Sequence, residues 1–253
     1  MEFIRCEKSA QLLVMTLSRG KANALNAAMI EELIATINDA ANDDGVRGIV
    51  LASDRPKFFS SGFDVAEVFG YDRAGMTAFF GRFIDLYESM LRLPKPIVAA
   101  VSGHAFAGGA VLALACDARV MAEGEFGFAL NEVNLGVVLT PGVIWMAIGA
   151  VGVRHARRLI LAGKMLTPAQ SLEFGLADEL LQPESVPERA TALARELAEK
   201  PPLAFGAIKR LFLEATGHPA TGNDRQALGQ FIEHWFSNES IERREALIQS
   251  MRR

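Results

Sequence analysis

Apolar positions along the chain change period several times, and the changes mark the elements. Residues 2–18, EFIRCEKSAQLLVMTLS, predict two short strands around a turn near Ser9–Ala10. A loop, RGKANALN, follows. Asn26 is placed to cap a helix whose apolar face carries Ile30, Leu33, Ile34, Ile37 and Ala41 at helical spacing, and Gly45 stops it. RGIVLAS, 47–53, reads as a buried strand, and DRPKFFSSGFD as a loop punctuated by Pro56 and Gly62. The next helix runs from Met76 to Leu93 with Phe79, Phe83, Leu86 and Met90 on one face, and LPKP ends it.

IVAAVS is a second buried strand, followed by a helix that opens at Gly108–Gly109, and ARVMAE is a third strand. FGFALNEVNLGVV is irregular. Helices are expected over 142–150 and 153–162, and another starts at Thr167–Pro168 and ends at Gly175. From Val186 the pattern is helical, broken at Pro201–Pro202 and around Gly217–Gly222. Strands alternate with helices to about residue 183, so the pattern predicts an α/β core over 1–185 and a helical C-terminal region over 186–253.

Residues 97–121 are apolar enough to raise the question of a membrane span. Ser102, Gly103, His104, Gly108, Gly109, Asp117 and Arg119 interrupt them, and a strand, a glycine turn and a helix account for the stretch better. The 253 residues, half of them apolar, suffice for a sizeable core. A net charge of −4 gives no whole-chain reason to expect nucleic acid. Cys6 and Cys116 read as reduced, buried thiols, and MEFIRCEKSA lacks a secretory pattern, so a cytoplasmic protein is expected. Nothing calls for a metal or a bound cofactor.

The candidate chemistry starts at AFAGGAVLALACD, 105–117. A helix start carries N–H groups without partners, and glycine lets a ligand atom approach them. Gly108–Gly109 could therefore hold a negative oxygen, or simply permit close helix packing. FFSSGFD, 58–64, is a second small-residue turn after a buried strand. Two backbone N–H groups from two such loops would make an oxyanion hole.

Read in order, KFFSSGFD, PKPIVAAVSGHAFAGGAVLALACDARV and FGFALNEVNLGV resemble the crotonase superfamily, the enoyl-CoA hydratase/isomerase enzymes, over about residues 10–185. The resemblance implies a spiral of ββα repeats with a helical C-terminal trimerisation region, a homotrimer or dimer of trimers, and an acyl-CoA thioester as substrate. Coenzyme A then enters as part of the substrate. By position, the resemblance assigns the oxyanion hole to the backbone N–H groups of Ser61 and Gly108. It implies CoA contacts from Lys21, Ala22 and Ala24, with Asp64 either touching CoA or capping its loop. A basic residue in IERREALIQSMRR could reach CoA from a neighbouring subunit.

Family hydratases use two glutamates. The first falls at Val111 here and the second at Glu132, so one acid/base candidate remains. Hydration needs two proton-handling groups, whereas moving a C3=C4 double bond to C2=C3 needs one base that removes a proton from C2 and returns it at C4. The pattern is similar to the mitochondrial-type Δ3,Δ2-enoyl-CoA isomerases. The hydratase stretch after the second glutamate reads VLTPGVIWMAIG here, and the aspartate of dienoyl-CoA isomerases is replaced by Thr140. Glu132 is expected among Phe126, Phe128, Leu130 and Trp145, where burial would raise its pKa. Without the resemblance it would read as a surface or ion-paired acid. Hydration, thioester hydrolysis, decarboxylation and acyl-CoA binding without catalysis stay open. His104, beside the glycine pair, reads as structural. Phe58, Phe59, Phe63, Phe69, Phe79, Phe80 and Phe83 read mostly as core, some of them able to line an acyl pocket.

Overall fold

A computed structural model describes residues 1–218 and 221–251. The chain opens with the hairpin β1 (Ile4–Ser9) and β2 (Leu12–Leu17), turned at Ala10 with φ 53°, and the helix α1 (Ala27–Asn42). Three repeats follow, each a long strand, a short strand and a helix. They are β3 (Gly48–Ser53), β4 (Phe58–Ser60), a single turn α2 (Val65–Val68) and α3 (Arg73–Arg92); β5 (Ile97–Val101), β6 (His104–Phe106) and α4 (Gly108–Leu114); and β7 (Ala118–Ala122), β8 (Phe128–Ala129) and α5 (Pro141–Ala162). Then come α6 (Pro168–Glu173), β9 (Glu179–Leu181), α7 (Val186–Ala198), α8 (Pro202–Ala215), α9 (Thr221–Trp235) and α10 (Asn238–Met251).

The long strands form one sheet in the order β1-β2-β3-β5-β7-β9, parallel except for the β1–β2 pair, and the short strands form a second, parallel sheet β4-β6-β8. Each repeat thus adds one strand to each sheet, which gives the spiral of ββα turns. The hydropathy pattern predicts none of the three short strands: 54–64 and 126–138 read as loop or irregular, and the segment between IVAAVS and Gly108 as a turn. With two or three residues each, they carry no readable period, and pairing with the neighbouring repeat creates them.

Alternation along the long strands divides the core. Met15, Ile49, Leu51, Ile97, Ala99 and Met121 point into the main cluster with α1, α3 and α4. Leu12, Val50, Val98, Ala100, Val120 and Ala122 point to the other face, where α7 covers them with Val186, Ala190, Ala194 and Ala198. These four lie at i, i+4 spacing, and their small size lets the helix lie close to the sheet. A Cβ on Gly48 would already be 3.3 Å from Ala194 O and Ala198 Cβ. The first helix after residue 185 is therefore a layer of the core. Asn26 caps α1 through its side chain, α3 starts at Arg73 because Asp72 caps it, and Thr167 with Gln170 forms a capping box on α6. Gly152, at φ 69° and ψ 161°, kinks α5 between the two expected helices. One expectation fails outright: Cys6 is exposed on the outer strand, while Cys116 is buried as expected. Among the described residues no helix is long and apolar enough to cross a membrane.

Candidate active site

α4 begins without a cap. Ala107 precedes it at φ 46°, ψ −121°, with no side-chain hydrogen bond to the helix. The first intrahelical donor is Val111 N–H, to Ala107 O at 3.0 Å. The N–H groups of Gly108, Gly109 and Ala110 have no acceptor among the described residues, although all three residues are buried. A Cβ on Gly109 would lie 2.4 Å from Ser60 O, and one on Gly108 would lie 2.9 Å from the Phe63 ring. Only glycine lets the helix start press so closely against the 58–64 turn.

In that turn the structure corrects the expected donor. Ser61 N–H is spent on Ala22 O at 2.9 Å, Gly62 N–H on Ser60 Oγ at 3.2 Å, and Asp64 N–H on Leu25 O at 2.8 Å. Phe63 N–H is left without an acceptor among the described residues. Gly62, at φ +89°, turns the chain against α4, and a Cβ on it would be 2.9 Å from Phe106 O and 3.3 Å from Gly108 N. The Phe63 and Gly108 amides, both free, thus lie on facing segments separated by a glycine.

The loop over residues 18–26 is sewn to this turn. Asn23, fully buried at φ 47°, donates through Nδ2 to Ser53 Oγ at 2.8 Å and Phe59 O at 3.1 Å, and its carbonyl accepts from Ser60 Oγ. Arg19 donates to Ala24 O at 2.8 Å and to Asp64 Oδ2 at 2.6 Å, while Asp64 Oδ1 accepts from Ala66 N–H. Both Asp64 oxygens are therefore occupied in clamping the two loops and capping α2. The carbonyls of Ala22 and Ala24 are also taken, and Lys21 is exposed. Sequence reasoning missed Asn23 and Arg19. Asn in KANALN was the available signal, since Asn tolerates left-handed backbone.

Glu132 opens a 3-10 turn, Glu132–Leu135, closed by Gly136 at φ 68°. Its Oε2 is buried and without a hydrogen-bond partner. Burial pushes its pKa from 4.5 up to about 7, against a smaller lowering by its own backbone N–H. Of the expected neighbours, Phe128 and Leu130 belong to the main core, whereas Phe126 packs with the cluster under α7. Trp145 Nε1 donates to Thr216 O, and its ring meets His218 at 4.6 Å. Residue 111 offers no second acid, Val111 being 2% exposed and apolar. Thr140 Oγ1 is engaged by Tyr87 OH at 2.9 Å, and Tyr87 OH donates to buried Asp224 Oδ2 at 2.5 Å. Asp224 Oδ1 accepts from Gly142 N–H at 2.8 Å, which places its charge at the start of α5. Asp224 comes from α9 and carried no sequence signal. His104 sits among Phe58, Phe106 and Phe126 at 4.9–5.7 Å, and burial lowers its pKa, as befits a structural histidine.

The Glu132 shift is also a stability statement. Below pH 4.5 the carboxyl is neutral whether folded or unfolded, and nothing is lost. As pH rises through about 7 the unfolded chain is already ionised while the folded one resists, so stability falls. Glu132→Gln should match the parent at pH 4 and exceed it by up to about 3 kcal/mol at pH 8. Urea titrations at both pH values check this, and a constant difference would contradict a carboxyl whose pKa burial has raised.

A family model described as enoyl-CoA hydratase/isomerase matches residues 7–251. The chain belongs to the enoyl-CoA hydratase/isomerase family. Mouse enoyl-CoA delta isomerase 1, mitochondrial, is 28% identical over 241 residues, covering 95% of this chain and 83% of that protein. A putative enoyl-CoA hydratase of Thermus thermophilus is 34% identical over 217 residues, 85% of each chain. The crystal structure of human mitochondrial delta3-delta2-enoyl-CoA isomerase superposes with a TM-score of 0.93 at 25% identity, covering 99% of this chain and 98% of that one. The crotonase fold is thus established. Isomerases and hydratases of the enoyl-CoA hydratase/isomerase family are both among its relatives.

Proposed function

We propose that this chain is an acyl-CoA enzyme that shifts a C3=C4 double bond to C2=C3, with Glu132 as the single acid/base. The observation that carries the reading is a carboxyl with one buried oxygen, Oε2, that has no partner, its pKa raised to about 7, and with valine where a second glutamate would be needed for hydration. The thioester carbonyl oxygen lies between Phe63 N–H and Gly108 N–H. Glu132 removes a proton from C2, and the charge that develops on that oxygen is met by two fixed donors. Its near-neutral pKa lets the same group return the proton at C4. No bound cofactor is required, coenzyme A entering with the substrate, and Lys21 is free to meet a CoA phosphate.

The chain assembles as a trimer or a dimer of trimers. In support, two apolar strips stand exposed on the single chain: Ile144, Ile148, Val153 and Leu161 on α5, and Leu203, Ile208, Leu211 and Phe212 on α8.

The test is product identification. A 3-enoyl-CoA should become its 2-enoyl isomer at unchanged mass, in a preparation that light scattering sizes at three chains or six. Addition of water to a 2-enoyl-CoA, with no isomerisation of the 3-enoyl ester, would replace this reading with hydration, which the Thermus relative's name favours.

A further inference from the structure

α10 meets the Glu132 turn, and the end of α9 meets α10, in a corner that nothing above uses. Ser240, fully buried on α10, packs against Gly136 at the end of that turn, its backbone N 3.4 Å from where a Gly136 Cβ would stand. Arg243 Nη1 donates to Asn134 O in the same turn at 3.3 Å. Next to it, Arg244 is 6% exposed. Its guanidinium lies 4.2 Å from the Trp235 ring centre and 5.0 Å from that of Phe69. Phe69 ends α2, the turn of helix that starts directly after the 60–64 segment. The corner therefore adjoins both halves of the site, the Phe63 side through α2 and the Glu132 side through Gly136.

Its donors outnumber its acceptors. Arg244 Nε donates to Ser240 O at 3.3 Å and Nη2 to Trp235 O at 2.7 Å. A guanidinium has five N–H groups, so three find no acceptor among the described residues. Among the described residues no carboxylate forms an ion pair with Arg244; the acid acting on it is its chain neighbour Glu245. Trp235, 4% exposed, has its Nε1 buried without a partner, and so has Ser240 its Oγ. Buried polar groups are paired in the great majority of cases, and a buried cation above all calls for an anion.

We propose that this corner receives a carboxylate at the far end of the acyl chain, so that the substrate class is the CoA thioester of an unsaturated dicarboxylic acid. The proposal rests on the acyl-CoA reading above. Two carboxylate oxygens offer four lone-pair sites. They can take the open edge of the guanidinium together with the indole N–H and the serine hydroxyl, and such charge-assisted pairs are the strong ones. A methyl-terminated chain would leave every one of these donors unpaired, and sites built to hydrogen-bond reject ligands that cannot.

The test is calorimetric binding of saturated esters, which have no double bond to move: adipoyl-CoA against hexanoyl-CoA, and suberoyl-CoA against octanoyl-CoA. At least one diacid ester should bind about ten- to a hundredfold more tightly than its monoacid partner. Arg244→Met keeps the apolar stem and should erase that preference. Trp235→Phe keeps the ring, removes only the N–H and should shrink the preference, which serves should Arg244→Met not fold. Monoacid esters binding as tightly as the diacids, or a preference that survives Arg244→Met, would overturn the diacid assignment and leave the acyl-CoA reading standing. Binding of none of the four esters would overturn both.

Discussion

Glu132→Gln is expected to slow isomerisation of a 3-enoyl-CoA about a thousandfold while changing substrate affinity only severalfold, the scale of loss for a positioned general base. The amide keeps the shape of the side chain and loses its ability to take a proton. Val111, Thr140 and Asp224 are not available as substitutes. Val111 is apolar, the Thr140 hydroxyl is held by Tyr87, and Asp224 is spent on Tyr87 and Gly142 N–H. In the parent, kcat/KM should rise with pH as Glu132 ionises and level off above about 7. Stopped-flow or coupled assays across pH 5–9 check both statements. Retention of a tenth of the parent rate in the variant, or a profile flat through pH 7, would remove Glu132 from the role of base.

The second large effect is expected at a residue with no side chain. Gly62→Ala places a methyl 2.9 Å from Phe106 O and 3.3 Å from Gly108 N, at a backbone φ of +89° that alanine rarely adopts. The methyl must push the 60–64 turn away from the start of α4, and the turn carries Phe63 N–H with it. Losing one oxyanion donor costs about a hundred- to a thousandfold in kcat. The fall should be in kcat far more than in KM, because the thioester oxygen gains most of its charge only at the transition state. Ser61→Ala is the informative control: it leaves the Ser61 N–H bond to Ala22 O intact and should change kcat little. A Gly62→Ala enzyme of normal kcat would show that these two amides do not form the hole.

How much of this was legible in the sequence depended on the distance over which each feature is decided. The run IVAAVS announces β5 because a strand buried on both faces is apolar throughout, and ARVMAE announces β7 in spite of Arg119, whose buried guanidinium is met by the carbonyls of Leu176 and Cys116. Asn26 and Thr167 declare helix starts by local hydrogen bonding alone. The short strands β4, β6 and β8 could not be read, since a neighbouring repeat makes them. The break between α9 and α10 at Phe236–Ser237 carries neither glycine nor proline. At the candidate site, the glycine pair and the lone glutamate stood out by motif. Choosing Phe63 over Ser61 required knowing that Ala22 O accepts the hydrogen bond from Ser61 N–H. Asp224 and Arg244 meet their neighbours across more than a hundred residues of chain or through aromatic stacking, and no spacing encodes that.

The order of the large sheet has a consequence for how the molecule stays apart from its own copies. A parallel ladder that grows by one strand per repeat would offer an open edge at each end, and open edges recruit strands from other chains. At one end the edge is β1, whose exposed positions include Arg5, Glu7 and Lys8. At the other it is β9, only three residues long, with Glu179 held by Arg189. Charge guards one edge and brevity the other, so the sheet is protected against edge-to-edge aggregation at both ends.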